Sequence, residues 1–267
     1  MVDLDDAAID RLCDANYREF SRELARWSGA GGAVVEADGV LLFATASAFP
    51  VLVNGVVRLD PRVSADAVLD RAEAWFAERG TGYSLSVHGG RDDDLAERAI
   101  QRELLPVADS PQMVCRSPIE GPPPAEGVEL RWLAEPDDVD DFVGVQDAAY
   151  QSLGMPPGVV AEVVAERNRF LEPHLATVIA TLDGRAVAGA QLLLSHGVGG
   201  VYFVGVVDDA RGRGLAELVT RAVTNAGFAR GAAFVGLQAS SMGESLYRRM
   251  GYEDRYRYRS LARFAGG

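Results

Sequence analysis

The sequence contains no lysine: all 26 of its basic residues are arginines, set against 39 aspartates and glutamates, for a net charge of −13. Nucleic acids and anionic membranes are held by clustered basic side chains, so this balance argues against both as partners. An acidic surface tolerates a cationic amine better than an anionic ligand. The use of arginine throughout reads as genome composition rather than function. Two cysteines, Cys13 and Cys115, are too few and too far apart for a disulfide framework or a metal site. Buried, reduced thiols in a cytoplasmic protein are the expectation, with no metal. The longest apolar stretch, Gly39 to Val53, is broken by Thr45, Ser47 and Pro50, so no membrane span fits. Met1–Asp6 is acidic and lacks the basic-then-apolar order of a signal peptide.

What is present is an ordinary globular composition, 48% hydrophobic and 24% charged, in 267 residues. That length suits one large domain or two ordinary ones. Residues 5–28 carry a helical stripe of Ile9, Leu12, Cys13, Tyr17, Phe20 and Leu24. Strand-like pieces at Gly32–Glu36, Val40–Ala46 and Val51–Leu59 follow, with Asp38-Gly39 and Asn54-Gly55 as turn signals. Ser64 can cap a helix ending at Gly80. Tyr83–His88 reads as a strand, Asp92 to Leu105 as a helix with acidic first turn, and Gln112–Arg116 as a last strand. Ser117–Gly127 holds three consecutive prolines, which cannot join a helix or a sheet ladder, and marks the boundary between two units. Beyond it come a strand at Val128–Leu133, helices at Glu135–Tyr150 and Val159–Leu171, and a hairpin of Thr177–Leu182 and Ala186–Ser195 about Asp183-Gly184.

The C-terminal part is organised around Val201–Val207, a β-branched and aromatic run that reads as a buried strand. The loop Asp208-Asp-Ala-Arg211-Gly-Arg-Gly214 then opens a helix with Leu215, Val219 and Val223 on one side. Unpaired N–H groups at a helix start carry partial positive charge, and glycines let an anion approach the backbone closely. This is an anion cradle. A Walker loop is excluded because it needs lysine, and Gly-x-Gly-x-x-Gly fails because Glu217 follows Gly212-x-Gly214 at the third place. A plain strand–helix turn using glycine for its geometry is the bland alternative.

The spacing Arg211-x-x-Gly214-x-Ala216 resembles the pyrophosphate loop of the GNAT superfamily of acyl-CoA N-acyltransferases. Downstream, Ser240, Gly243, Tyr247, Gly251 and Tyr252 match that family's Asn/Ser-x-x-Ala/Gly-x-x-x-Tyr-x-x-x-Gly-Phe/Tyr pattern, in the family's order, and the resemblance covers residues 128–267. It implies an acetyl-CoA donor, with the backbone of Val204, Gly205 and Val206 pairing with the pantetheine arm. The amides of Arg211, Gly212, Arg213, Gly214, Leu215 and Ala216 would hold the pyrophosphate. Tyr247 would be the catalytic acid, since a phenol can protonate a departing thiolate. Its bland alternative is a tyrosine packed on a helix face. Ser240 would bind the cofactor, cap the next helix, or do both. Arg211 and Arg213 add charge or are merely solvated.

The two halves also resemble each other. Phe76-Ala-Glu-Arg-Gly80 matches Phe228-Ala-Arg-Gly231, and the strand at Tyr83 matches the one at Phe234 with nearly the same spacing. Coincidence between two α/β segments is the alternative. The expected fold is α+β (an α/β mixed sheet): tandem GNAT-like domains, each a twisted, mostly antiparallel sheet flanked by helices. Residues 1–117 form a degenerate copy, 118–127 a linker, and 128–267 the catalytic domain. The first copy's loop, Asp60-Pro-Arg-Val-Ser64, lacks glycine, so this copy should not bind acyl-CoA. Packing against the second domain, or forming a lid or a homodimer surface, would suit it better.

No acid or imidazole lies on Val201–Val207, which leaves the general base open among Glu172, His174 and His196, each with a structural alternative. His88 reads as structural. Arg255-Tyr-Arg-Tyr-Arg259 alternates cation and aromatic, which at period two gives a strand with arginines out and tyrosines in rather than a nucleic-acid surface. The expected activity is acetyl transfer to a primary amine of a small molecule or peptide, by direct attack in a ternary complex. A non-catalytic acyl-CoA-binding regulatory or adaptor module is the alternative. The acceptor would be selected around Gln151–Glu172.

Overall fold

The computed structural model describes residues 4–265; Met1–Asp3 at the acidic start and the last two glycines lie outside the described residues. One helix opens the chain, α1 (Asp6–Trp27), its first turn capped by the Asp5 carboxylate, which accepts from the Ala8 N–H at 2.6 Å. A meander follows: β1 (Ala33–Ala37), β2 (Val40–Ala44) and β3 (Gly55–Arg58). Then come α2 (Ala65–Ala77), β4 (Tyr83–His88), α3 (Asp93–Gln101) and β5 (Leu105–Cys115). The second half runs β6 (Val128–Trp132), α4 (Pro136–Gln151), α5 (Val159–Val163), β7 (Leu175–Leu182), β8 (Arg185–Ser195), β9 (Val198–Val206), α6 (Leu215–Ala229), β10 (Val235–Gln238), α7 (Glu244–Arg249) and β11 (Glu253–Arg263). The order of meander, helix, parallel strand recurs: β3 pairs with β4 in parallel, as β9 does with β10, and every other pairing is antiparallel.

The strands of both halves join in a single mixed sheet of eleven strands, ordered β1-β2-β3-β4-β11-β5-β10-β9-β8-β7-β6. Two strands change sides. β11, from the end of the chain, sits between β4 and β5, while β5, from the first half, sits between β11 and β10. β5 therefore begins at Leu105 rather than Gln112. Its stretch Pro106–Pro111 looks like loop in composition, yet it is held as strand by pairing with Arg257–Leu261. Tertiary pairing overrides local preference there.

Alternation along the strands separates two faces. On β7, Leu175 and Ile179 join a cluster with Trp27 and Phe43 of the first half and Phe142, Phe170 and Phe203 of the second. Ala176, Val178 and Ala180 face the other way, into a cluster with Leu215, Val219 and Val223 of α6 and Met113 of β5. So α1 and α4 share one face, and α6 covers the other. Both cores contain residues from both halves. Cys13 and Cys115 are free and buried, and burial pushes the Cys13 thiol up to about 12, which keeps it neutral.

Three further departures have local causes. The expected helix over Val159–Leu171 splits into α5 and a 3-10 turn at Arg167–Leu171, because the Glu166 N–H donates to the Trp27 carbonyl of α1 at 2.7 Å instead of continuing the helix. Asn54, expected at a turn, is fully buried; its amide accepts from Thr45 N–H and donates to the Ser47 and Phe49 carbonyls, tying the 45–49 loop to the start of β3. The α3 helix ends at Gln101, and Glu103 takes a left-handed φ of 63° before β5 starts. Among the described residues, no helix is long and apolar enough to cross a membrane.

Candidate functional site

β9 and β10 are paired only through Gly199–Val201 and Val235–Leu237. Beyond Val201 the strands part, and the β9 edge facing β10 carries backbone groups with no strand partner. On its other edge β9 pairs with β8, but Gly205 opposes Gly189 whereas Tyr202 opposes Gln191. Two β9 residues, Phe203 and Val204, thus face one on β8. This is a β-bulge, with Phe203 at a left-handed φ of 51°. Such a conformation is costly for an aromatic residue, and bulges of this kind re-aim a strand.

The opened fork leads to a cleft of about 540 Å³ lined by Val204, Gly205, Val206, the 210–217 loop and helix start, Ser240 and Tyr247. At its mouth, α6 starts without a side-chain cap: its N-cap is Gly214, at φ 74°. Gly212 and Gly214 both have left-handed φ, and a Cβ on either would meet nothing within 4 Å, so it would project into open space. Their identity is set by backbone conformation and by the opening, not by packing. The unpaired N–H groups of this first turn therefore face solvent in a region of partial positive charge. A donor with a pyrophosphate fits this arrangement.

The structure brings the sequence-derived residues together, with refinements. Leu215 is buried in the α6 core and Ala216 half-buried, leaving only their amides for a ligand. Gly205 is glycine for a different reason: a Cβ there would come within 2.4 Å of Gln146 Oε1, so it serves the packing of α4 on β9. Arg211 is not a free cation. Its guanidinium donates to the Ser152 hydroxyl at 2.7 Å, lies 2.8 Å from Asp208 and reaches the Val206 carbonyl, clasping the loop to the end of α4. Arg213 is exposed beside it. The Ser240 carbonyl, not its hydroxyl, receives the Gly243 and Glu244 N–H groups, so the hydroxyl at the cleft wall does not act as a helix cap.

Tyr247 is buried, 7% exposed, on α7. Burial pushes its phenol up to about 12, with the nearby Thr220 hydroxyl partly opposing, so it stays protonated at neutral pH. Gly243 makes room for it: a Cβ there would sit 2.7 Å from Cε2 of the Tyr247 ring. Tyr252 is structural, its hydroxyl 2.6 Å from Thr224 Oγ1.

Glu172, His174 and His196 are not brought to the cleft. β9 enters at Val198 and reaches the cleft at Val204, and six residues of strand span about 20 Å. His196 precedes Val198, and the His174 carbonyl receives the Leu194 N–H at the same far end. His174 Nε2 lies 3.3 Å from Glu23, and Glu172 borders a separate depression with Trp132 and Arg230. His88 stacks on Tyr256 at 3.8 Å, a structural role. The only carboxylate bordering the cleft among the described residues is Glu217. Sequence reasoning missed Tyr150, at the end of α4, which lines the cleft; its apolar helical register reads as core.

Residues 145–252 match the model of the acetyltransferase (GNAT) family. No curated protein matches the chain significantly. Among solved structures, the chain is similar to a GCN5-related N-acetyltransferase from Kribbella flavida, at TM-score 0.69 and 20% identity over 94% of this chain and 96% of that one. It is also similar to a GCN5-related N-acetyltransferase from Sphaerobacter thermophilus, at TM-score 0.62 and 18% identity over 90% of this chain and 84% of the other. A conserved protein of unknown function from Staphylococcus epidermidis matches at TM-score 0.61 and 12% identity, over 88% and 94%. At these identities the likeness is one of fold, and it extends over both halves.

Proposed function

We propose that this chain, which carries an acetyltransferase (GNAT) family domain at residues 145–252, takes its acyl group from acetyl-CoA. It passes that group to a primary amine of a small molecule or peptide by direct attack in a ternary complex. The observation that carries this reading is the meeting, in one cleft, of an uncapped helix start with two left-handed glycines, a strand edge without a partner, and a buried phenol. Acetyl-CoA supplies an activated acyl group as its thioester. The amides of Gly212–Ala216 hold the pyrophosphate, while Arg211, whose own N–H is bonded to the Asp208 carbonyl, fixes the loop to α4 through its side chain. The freed edge of Val204–Val206 takes the pantetheine arm as a strand would, and the Ser240 hydroxyl adds a polar contact. Tyr247 donates its proton to the leaving thiolate, and its raised pKa ensures that the proton is present.

Glu217 borders the cleft at the phosphate end rather than beside Tyr247, so the acceptor loses its proton to solvent. The rate should therefore rise with pH toward the acceptor's own pKa. The first 117 residues hold no donor site, and 118–127 joins them to the catalytic part, residues 128–267. Two free buried thiols suit a cytoplasmic setting. The test is thiol release from acetyl-CoA across a panel of small amines and peptides. Acceptor-dependent release supports the enzyme. Tight acetyl-CoA binding without turnover on any amine would favour a non-catalytic regulatory module, the reading suggested by the missing base.

A further inference from the structure

Besides Tyr247 the cleft is lined by one more aromatic ring, Tyr150, which has no part in the reading so far. Tyr150 lies in the last turn of α4, half-buried, with its ring centroid 6.0 Å from that of Phe203 at the β9 bulge. Burial raises the Tyr150 phenol well above its ordinary value, and the Tyr247 phenol adds to the shift. Phe203 is backed by Phe142 at 6.3 Å from its own face, and by Phe20 at 5.8 Å and Trp27 at 6.2 Å from α1 of the first half. Phe20 also stacks on Tyr202 at 3.7 Å. These rings belong to one aromatic cluster behind the cleft, where packing leaves little room to yield. A donor with its phosphates at Gly212–Ala216 and its sulfur at Tyr247 would bring its acyl group to the part of the wall that Tyr150 forms.

We infer that Tyr150, backed by Phe203, closes the acyl end of the cleft and restricts the donor to short acyl chains, with α1 of the first half holding that backing in place. This rests on the donor-site reading above. It gives the first half a part in choosing the substrate although that half binds no donor itself. An open pocket would behave otherwise, since each buried methylene strengthens binding roughly three- to fourfold.

The test measures calorimetric affinities of CoA, acetyl-CoA, butyryl-CoA and hexanoyl-CoA for the full-length parent, Tyr150→Phe and Tyr150→Ala, so no acceptor is needed. The parent should bind hexanoyl-CoA at least tenfold more weakly than acetyl-CoA. Tyr150→Phe, which keeps the ring, should retain that preference, and Tyr150→Ala should abolish or invert it. If Tyr150→Ala does not melt cooperatively, Tyr150→Leu gives the same reading with less volume removed. A parent that binds all three acyl-CoAs alike, or an Ala or Leu variant that keeps the parent's preference, overturns the wall while leaving the donor site intact. Failure of CoA itself to bind the parent would remove the donor-site reading and the wall together.

Discussion

The helix after the third meander strand begins differently in the two halves. In the first, α2 is capped by its own chain: the Ser64 hydroxyl accepts from the Ala67 N–H at 3.2 Å, and Asp60 is occupied by Arg62. In the second, α6 starts at Gly214 with no side-chain cap. The neighbouring fork differs as well. Where β9 and β10 part to open a cleft, the end of β3 carries Arg58, 2% exposed, whose guanidinium donates to Asp92 at 2.8 Å and to Asp94 at 2.6 Å. The position that could receive a ligand is filled by an internal ion pair, and Asp92, Asp93 and Asp94 would repel a phosphate. The same supersecondary order thus yields an open cleft in one half and a sealed end in the other, through a handful of side chains.

Four substitutions probe that contrast. Gly214→Glu places bulk and negative charge in the open cradle and forces a left-handed φ on a non-glycine residue. Acetyl-CoA binding should be lost beyond calorimetric detection, while the thermal melt stays cooperative. Tyr247→Phe should keep binding within about twofold and slow turnover roughly tenfold to a thousandfold, the range for one acid–base group. Because the parent phenol titrates only near about 12, no alkaline loss of rate should come from it at ordinary pH. A Phe variant as fast as the parent would remove Tyr247 from its role. Arg58→Ala removes one of the two arginines paired with buried Asp92, which keeps Arg91 at 3.0 Å, so the cost should sit at the low end of about 3–5 kcal/mol. The melt should fall by roughly 10 °C on the scaling for a chain of this size. No second donor site should appear, and a gain of one would show that Arg58 alone sealed the first half. Ser64→Ala should cost about 1 kcal/mol, the usual value of a lost cap, and leave donor affinity unchanged.

Much of the site could be read from sequence because it is local. The 211–216 loop and the Ser240–Tyr252 pattern each fit within a turn and a helix, so spacing alone specifies them. Tyr83–His88 and the Ser64 cap were legible for the same reason. The exchange of β5 and β11 was not, since alternation in Arg255–Arg263 identifies a strand but not its neighbours. The polar underside of α1 was equally hidden. Asp14 is buried there by Tyr256 at 2.8 Å, Tyr258 and Arg91, partners far along the chain. The bulge at Phe203 leaves no trace in composition, yet it opens the strand edge on which the proposed donor site depends. The glycine-free loop Asp60-Pro-Arg-Val-Ser64 was the visible hint about the first half, whereas the seal that Arg58 makes with Asp92 and Asp94 rests on pairing across the fold.

The most direct measurement is a calorimetric titration of acetyl-CoA into the full-length protein, paired with a thermal melt. The account predicts one equivalent per chain. At about a hundred times the dissociation constant, that binding should stabilise the fold by roughly 2.7 kcal/mol, and Gly214→Glu should remove both effects. Two equivalents, or a single one that survives Gly214→Glu, would contradict it.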